Sequence, residues 1–371
     1  MTSTATGTAG GSAPAWDAAG FRERVQAALD AFLDEQAERL APLGEDAARL
    51  LAEARASVSG GKRFRAAFCY WGFHSVAGPA DAADGPADDS LVRACAALEL
   101  LHASALVHDD YMDASDTRRG RPATHRGFAG EHRRDGWRGD PEQYGASAAI
   151  LLGDLLLSWS DELLRRCGLP LDRVVAALDV FDRCRSEVIT GQFLDVSVQA
   201  RGVADVDAAM TVLRYKSAKY SIERPLHIGA TLAGGDEGQL ARLGAFGLPL
   251  GEAFQLRDDL LGVYGDPAAT GKPAGDDLIE GKRTVLVALA LDGAPAADAA
   301  RLDAALGTEL DTTRVAELRR IIDESGAHAQ VESVITELAA RATTALRAAD
   351  VDEQARAVLL ELAAAATDRL H

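Results

Sequence analysis

Two acidic stretches carry most of the chemistry open to this chain. The first reads His108-Asp109-Asp110-Tyr111-Met112-Asp113 and is followed by Arg118-Arg119-Gly120. The second reads Phe254-Gln255-Leu256-Arg257-Asp258-Asp259 and runs on to Gly265-Asp266. A helix turns by about 100° per residue, so Asp109, Asp113 and Asp110 fall at roughly 0°, 40° and 100°, on one face. Like charges at that spacing repel, and carboxylates in apolar surroundings are costly unless compensated. Divalent cations compensate them, and an all-oxygen donor set favours magnesium or calcium over zinc. Magnesium typically bridges a few carboxylates to the phosphates of a substrate. Arg118 and Arg119 are suited to bidentate phosphate contacts. A solvated acidic helix end is the plain alternative. The apolar run Ala94–Val107 ahead of the motif reads as a buried helix and argues against it.

The second stretch repeats this logic less fully. Asp258 and Asp259 are adjacent, with Gln255 one turn earlier, but position 262 is Gly where a third carboxylate would match. Gly262 and Gly265 mark the end of that helix. Downstream, Thr270-Gly271-Lys272 and Gly275-Asp276-Asp277 lead to Lys282, a second wall suited to phosphate.

These residues need a scaffold, and the composition says which kind. The chain has 371 residues, 47% of them hydrophobic, enough for one large helical domain or two smaller ones. A net charge of −18 argues against a nucleic-acid partner. Cys69, Cys95, Cys167 and Cys184 show no paired spacing, so neither a disulfide framework nor a zinc site is expected, and a reducing cytoplasm is the default. Residues 1–20 are rich in Thr, Ser, Ala and Gly and read as a disordered tail rather than a signal peptide. No apolar run reaches the ~18 residues of a membrane span. Ala, Leu, Arg and Glu dominate the rest and β-branched alternation is scarce, which predicts an all-α fold. Helices are expected at about 21–58, 62–77, 90–112, 145–167, 171–199, 206–220, 222–233, 237–261, 281–292, 298–305, 312–325, 327–348 and 352–370, with long loops over 78–89 and 127–144.

Taken together, Asp109-Asp110-x-x-Asp113 with Arg118-Arg119-Gly120, and Phe254-Gln255-x-x-Asp258-Asp259, resemble the two aspartate-rich motifs of the trans-isoprenyl diphosphate synthases. Gly60-Gly61-Lys62-Arg63-Phe64-Arg65, Gly191-Gln192-Phe193-Leu194-Asp195 and Lys216-Ser217-Ala218 resemble further family segments, in family order. The resemblance implies a helical bundle around a deep central cavity, in a single domain over 21–371, usually dimeric. The implied reaction joins an allylic diphosphate to isopentenyl diphosphate and releases pyrophosphate, with three magnesium ions per active site. It makes Asp109, Asp113 and Asp258 the metal ligands, supported by Asp110 and Asp259. Arg118, Lys216 and Lys272 would hold the allylic diphosphate, with Lys282 near it and Gln255 beside this group. Lys62, Arg65, His102 and Arg119 would hold the second diphosphate without metal. Gln192, Ser217 and Asp195 fall near the reacting carbons; Asp195 reads equally well as a capping or ion-paired residue. Alone, His102 is as readily a core histidine, and Lys62 and Arg65 an exposed helix start; the order of the motifs favours the functional reading. The chain departs from the family pattern at Ala66, often Pro; at Ser217, for Thr; and at Gly262, for the last Asp of the second motif.

Product length should be read one helical turn before Asp109. Ala105 and its neighbour Ser104 are both small, leaving Leu101 and the facing helices as a lower floor. That favours a product longer than fifteen carbons, geranylgeranyl diphosphate first, which Ser104→Phe or Ala105→Phe should shorten. The alternatives are a longer-chain polyprenyl diphosphate synthase, a class I terpene cyclase, which would need no second diphosphate site, and a non-catalytic partner subunit.

Overall fold

The structure, a computed structural model, describes residues 16–78, 86–202, 205–265 and 275–367. The chain is built from helices: α1 (Ala18–Leu40), α2 (Glu45–Val58), α3 (Phe64–Ala77), α4 (Pro86–Met112), α5 (Thr124–Arg134), α6 (Pro141–Arg165), α7 (Leu171–Arg201) and α8 (Val206–Val212). A π-helical segment, Leu213–Glu223, continues α8 without a break into α9 (Arg224–Ala233). Then follow α10 (Glu237–Tyr264), the short α11 (Asp276–Glu280), α12 (Val285–Gly293), α13 (Ala296–Ala305), α14 (Thr312–Glu324), α15 (Ala327–Ala348) and α16 (Glu353–Thr367). One two-stranded antiparallel hairpin, Thr117–Arg118 with Arg121–Pro122, follows α4. Its turn residues Arg119 and Gly120 have φ of 52° and 72°, the left-handed pair that a tight hairpin requires.

The expected all-α class is what is found, with local corrections. The segment 21–58 is two helices, because Gly44, with φ of 81°, ends the short 3₁₀ turn Ala41–Leu43 and starts α2. The loop expected over 127–144 is mostly helix, the end of α5 and the start of α6. Its basic residues are good helix formers, and Phe128, His132, Trp137 and Tyr144 pack ring against ring there. Asp140 then caps α6 by accepting from the Glu142 amide, with Pro141 in the first turn. The chain is already packed at Trp16, whose ring meets Phe21 and Trp71; residues 1–15 of the expected tail lie outside the described residues. The expected loop over 78–89 gives way to α4 at Pro86, and 79–85 likewise lie outside.

Two apolar clusters form the interior. One joins α1–α4, α6, α7, α9, α16 and the end of α15; the other joins α8, α11–α14 and the start of α15. Helix α10 belongs to both: Leu243, Phe246 and Leu250 face the first, and Leu256, Leu260 and Val263 the second. Helix α4 runs through the first cluster, with Leu98, Leu100, Leu101 and Val107 at most 4% exposed. Its length and apolarity are those of a membrane span, contrary to the expectation from runs of residues alone, but 78% of that window is buried inside the fold. All four cysteines are buried and unbridged.

Helices α3 and α9 meet almost backbone to backbone. A Cβ on Gly229 would stand 1.8 Å from the Cys69 carbonyl oxygen, and one on Gly72 would stand 2.5 Å from that of Leu226. Gly229→Ala must therefore push two buried helices apart. We expect it to cost on the order of 1–3 kcal/mol, read as a lowered Tm and denaturant midpoint.

Candidate active site

A cavity of about 1100 Å³ opens between α3, α4, α7, the π segment, α10 and α11. It is lined by both acidic stretches and by most of the cationic residues singled out from the sequence.

The π segment brings Lys216 and Ser217 to this cavity, and glycines on both sides fix it there. A Cβ on Gly191 of α7 would stand 2.4 Å from the Lys216 amide nitrogen, and one on Gly251 of α10 would stand 2.4 Å from the Ala218 carbonyl oxygen. Side chains at either position would displace the segment. Lys216 Nζ lies 2.6 Å from Asp195 and 3.3 Å from Asp109, whose Oδ1 also accepts from Gln192 Nε2 at 2.8 Å. Asp195 is thus ion-paired and nearly buried. Burial raises the Asp109 pKa, but Lys216, Lys282 and Arg118 outweigh it and hold the carboxyl below the usual range. Burial disfavours the Lys216 ammonium, and Asp109 and Asp195 overcome it.

The three carboxylates of the first stretch do not share one environment, contrary to the single face expected of them. Asp110, 3% exposed, faces a smaller adjoining pocket and accepts from Arg118, whose Nε is 2.8 Å away. It orients that guanidinium from behind, while Arg118 itself lines the main cavity. The 100° that separates it from Asp109 is enough to send it behind the wall. Asp113 sits at the end of α4 beside Lys282, whose Nζ is 3.3 Å from Oδ2. Burial and the Asp109 charge push the Asp113 pKa up to about 6. Lys282 also pairs with Glu280 and, at 3.5 Å, Asp277. Burial works against its charge, and Asp277, Glu280 and Asp113 hold its pKa well above the ordinary value.

Across the cavity, Asp258, Asp259 and Gln255 line the wall from α10. Gln255 Nε2 donates to Asp259 Oδ1 at 2.8 Å. Burial, then the neighbouring Asp277, raises the Asp259 pKa to about 8. Lys272 lies outside the described residues.

The remaining cations gather on the same cavity between α3, α4 and the hairpin. Lys62, Arg65, His102 and Arg119 all line it. Arg65 donates to Ser221 Oγ at 2.8 Å and lies over the Tyr220 ring, 4.2 Å from its centroid. Arg119 Nη1 donates to the Ser59 carbonyl at 2.8 Å. His102 Nδ1 is 2.8 Å from the Tyr220 hydroxyl. Burial, then Arg65 and Arg119, keeps its pKa well below the usual value, so it faces the cavity as a neutral imidazole. Tyr220 belongs to none of the sequence motifs, and its place one turn after Lys216 is the only local signal for it. Arg63 holds this corner in place: it is 5% exposed, has a left-handed φ of 55°, and pairs with Glu99 at 2.9 Å.

Towards its apolar part the cavity is lined by Leu101, Ser104 and Ala105 of α4, facing Leu157 of α6 and Val188 of α7. Ser104 Oγ donates to the Gly153 carbonyl at 2.7 Å, so this side chain is committed to the contact with α6 while Ala105 is only partly buried.

Among the described residues, no three or more Asp, Glu, His or Cys side chains converge as a ready-made metal cage. Lysines stand between the acidic groups instead. The donor set nonetheless suits magnesium, which takes one or two carboxylates and completes its shell with water and substrate phosphate. The buried Asp113 Oδ2 accepts no hydrogen bond and is met only by the Lys282 ammonium at 3.3 Å, a positive charge in the place a cation would take.

Comparison with known proteins agrees with this geometry. Residues 48–324 match the family described as polyprenyl synthetase. A short chain isoprenyl diphosphate synthase of Methanothermobacter thermautotrophicus is 34% identical over 73% of this chain and 75% of its own length. A geranylgeranyl diphosphate synthase of Mycobacterium tuberculosis is 36% identical over 64% of this chain and 60% of its own length. The crystal structure of a geranylgeranyl pyrophosphate synthase from Corynebacterium glutamicum, complexed with isoprenyl diphosphate and magnesium, is 40% identical, with a TM-score of 0.91 over 95% of this chain and all of that one. The chain belongs to the polyprenyl synthetase family, prenyltransferases of all-helical fold that use isoprenyl diphosphates.

Proposed function

We propose that the chain condenses isopentenyl diphosphate with an allylic diphosphate by ionisation, condensation and elimination, and that the product is geranylgeranyl diphosphate. The observation that carries the reading is that one cavity is lined both by carboxylates from two distant stretches, Asp109 of α4 and Asp258 of α10, and by a second set of cationic and imidazole groups, Lys62, Arg65, His102 and Arg119. A cyclase, which binds one diphosphate, has no use for that second set.

In this reading Asp109, Asp113 and Asp258 would hold magnesium, three ions per site, with Asp110 and Asp259 in support. When bound, magnesium supplies the positive charge that stabilises the departing pyrophosphate. Lys216, Arg118 and Lys282, with Lys272, grip the allylic diphosphate; the two described lysines exchange carboxylate partners for phosphate oxygens as it binds. The allylic carbon–oxygen bond breaks, its electron pair leaving with pyrophosphate. The double bond of isopentenyl diphosphate then attacks the cationic carbon, and a proton passes to the released pyrophosphate. Gln192, Ser217 and the ion-paired Asp195 flank the reacting carbons, and Gln255 lies beside the allylic diphosphate. Lys62, Arg65 and Arg119 hold the second diphosphate by charge and His102 by a neutral N–H, without metal, so that it does not ionise. We take residues 21–371 as one prenyltransferase domain acting in the cytoplasm. We also take it to form a homodimer, supported by the exposed apolar side chains Leu151, Leu171 and Val175 on α6 and α7, which lie outside the cavity.

Purified protein with magnesium, labelled isopentenyl diphosphate and each allylic primer should yield a twenty-carbon diphosphate on chromatography. Hydrocarbon formed from geranylgeranyl diphosphate alone would instead favour a cyclase. Arg65→Ala should raise KM for isopentenyl diphosphate by about 10- to 100-fold, the worth of a lost charge-assisted contact; an equal rise in KM for the allylic primer would remove the assignment. Ala105→Phe should shift the product to fifteen carbons. It is a cleaner probe than Ser104→Phe, which also breaks the bond to Gly153; unchanged length in Ala105→Phe would mean the floor lies elsewhere.

A further inference from the structure

The second acidic stretch lacks the carboxylate that would match Asp113 of the first, because position 262 is glycine. Another residue already fills that place. A Cβ built on Gly262 would stand 1.9 Å from Asp277 Oδ2 and 2.4 Å from its Cγ. The Asp277 carboxyl therefore lies against the α10 backbone, one helical turn beyond Asp258. It lines the same cavity and is 9% exposed.

We infer that Asp277, delivered by α11, is the third carboxylate of the second cation-binding group, and that Gly262 is the residue type that admits it. This rests on the reaction proposed above for its ligand, a divalent cation held together with a diphosphate. Two further observations agree. Lys282 Nζ is 3.5 Å from Asp277 and 3.3 Å from Asp113, so one positive charge already links this residue to the first acidic stretch. And α11 is closely packed where it presents this carboxylate. Gly275 and Gly281 bracket it in left-handed conformations, with φ of 75° and 77°. A Cβ on Gly281 would meet Gly307 Cα at 2.9 Å, and the Lys282 amide donates to the Asp277 carbonyl at 2.9 Å. A side chain at 262 would have to turn the Asp277 carboxyl out of its present position, so substitutions at the two positions are expected to be coupled.

The test is calorimetric titration of the full chain with Mn²⁺ and inorganic pyrophosphate, which reads the cation group without turnover. Asp277→Asn should weaken this binding by about tenfold or more. It should also raise the Mg²⁺ concentration for half-maximal rate while leaving KM for isopentenyl diphosphate unchanged. The double variant Gly262→Asp/Asp277→Ala, which moves the carboxylate back onto α10, should recover most of the lost affinity. Affinity within about twofold of wild type in Asp277→Asn would overturn the assignment. So would a folded double variant without recovery when the single variant is impaired or does not fold. Failure of both variants to fold would assign Asp277 to packing and overturn it as well. A wild-type chain that binds Mn²⁺ with pyrophosphate but makes no prenyl product would sink the reaction and leave this assignment standing.

Discussion

The constraint on which the rest of the structure depends is the burial of like-charged carboxylates from distant parts of the chain around one cavity. Asp109, Asp113, Asp259 and Asp277 lie within a fold where water is scarce, and uncompensated charge there is costly. Among the described residues, Lys216 and Lys282 contribute compensation, each bridging two or more acids. Their arrangement leaves the group finely balanced: Asp109 is held ionised while Asp113 and Asp259 are pushed to about 6 and about 8. Such a group takes up added positive charge readily, as magnesium-dependent diphosphate chemistry demands.

The scaffold serves that arrangement by close backbone contact as much as by apolar area. Glycines on α7 and α10 seat the π segment that presents Lys216 and Ser217, and Gly262 makes room for Asp277. A π-helical stretch is uncommon and often marks a functional site. Here it turns Lys216, Ser217, Tyr220 and Ser221 towards one cavity. Helix α10, shared between the two apolar clusters, carries the second acidic stretch at their junction, so the wall of the site and the joint of the core are one element.

The cationic corner follows a different logic. Arg65 and Arg119 are anchored by neutral partners, the Ser221 hydroxyl and the Ser59 carbonyl, so their charge remains for an anion. Their field, with burial, keeps His102 neutral. The contrast with the acidic end, where every described lysine is paired to carboxylate, separates an anion held with cations from one held without.

The sequence by itself determined the fold class, the two acidic motifs and most of the charged and polar residues that line the cavity. Each is a local signal: helix-forming composition, carboxylates one turn apart, or basic residues beside glycines. It also placed α4, α7 and α10 to within a few residues, because long buried helices carry strong apolar patterns. Only the tertiary structure decided what depends on neighbours distant in the chain. It split Asp110 from Asp109 and Asp113, since a modest rotation about α4 puts a carboxylate behind the wall. It made helix of the stretch around Phe128 and Tyr144, whose rings needed partners no window of sequence reveals. It drew Tyr220 into the site and joined α8 to α9 through a π segment, because the space left by Gly191 and Gly251 selects that winding. And it set Asp277 where Gly262 lacks a side chain, a substitution across two helices that spacing along one helix cannot disclose.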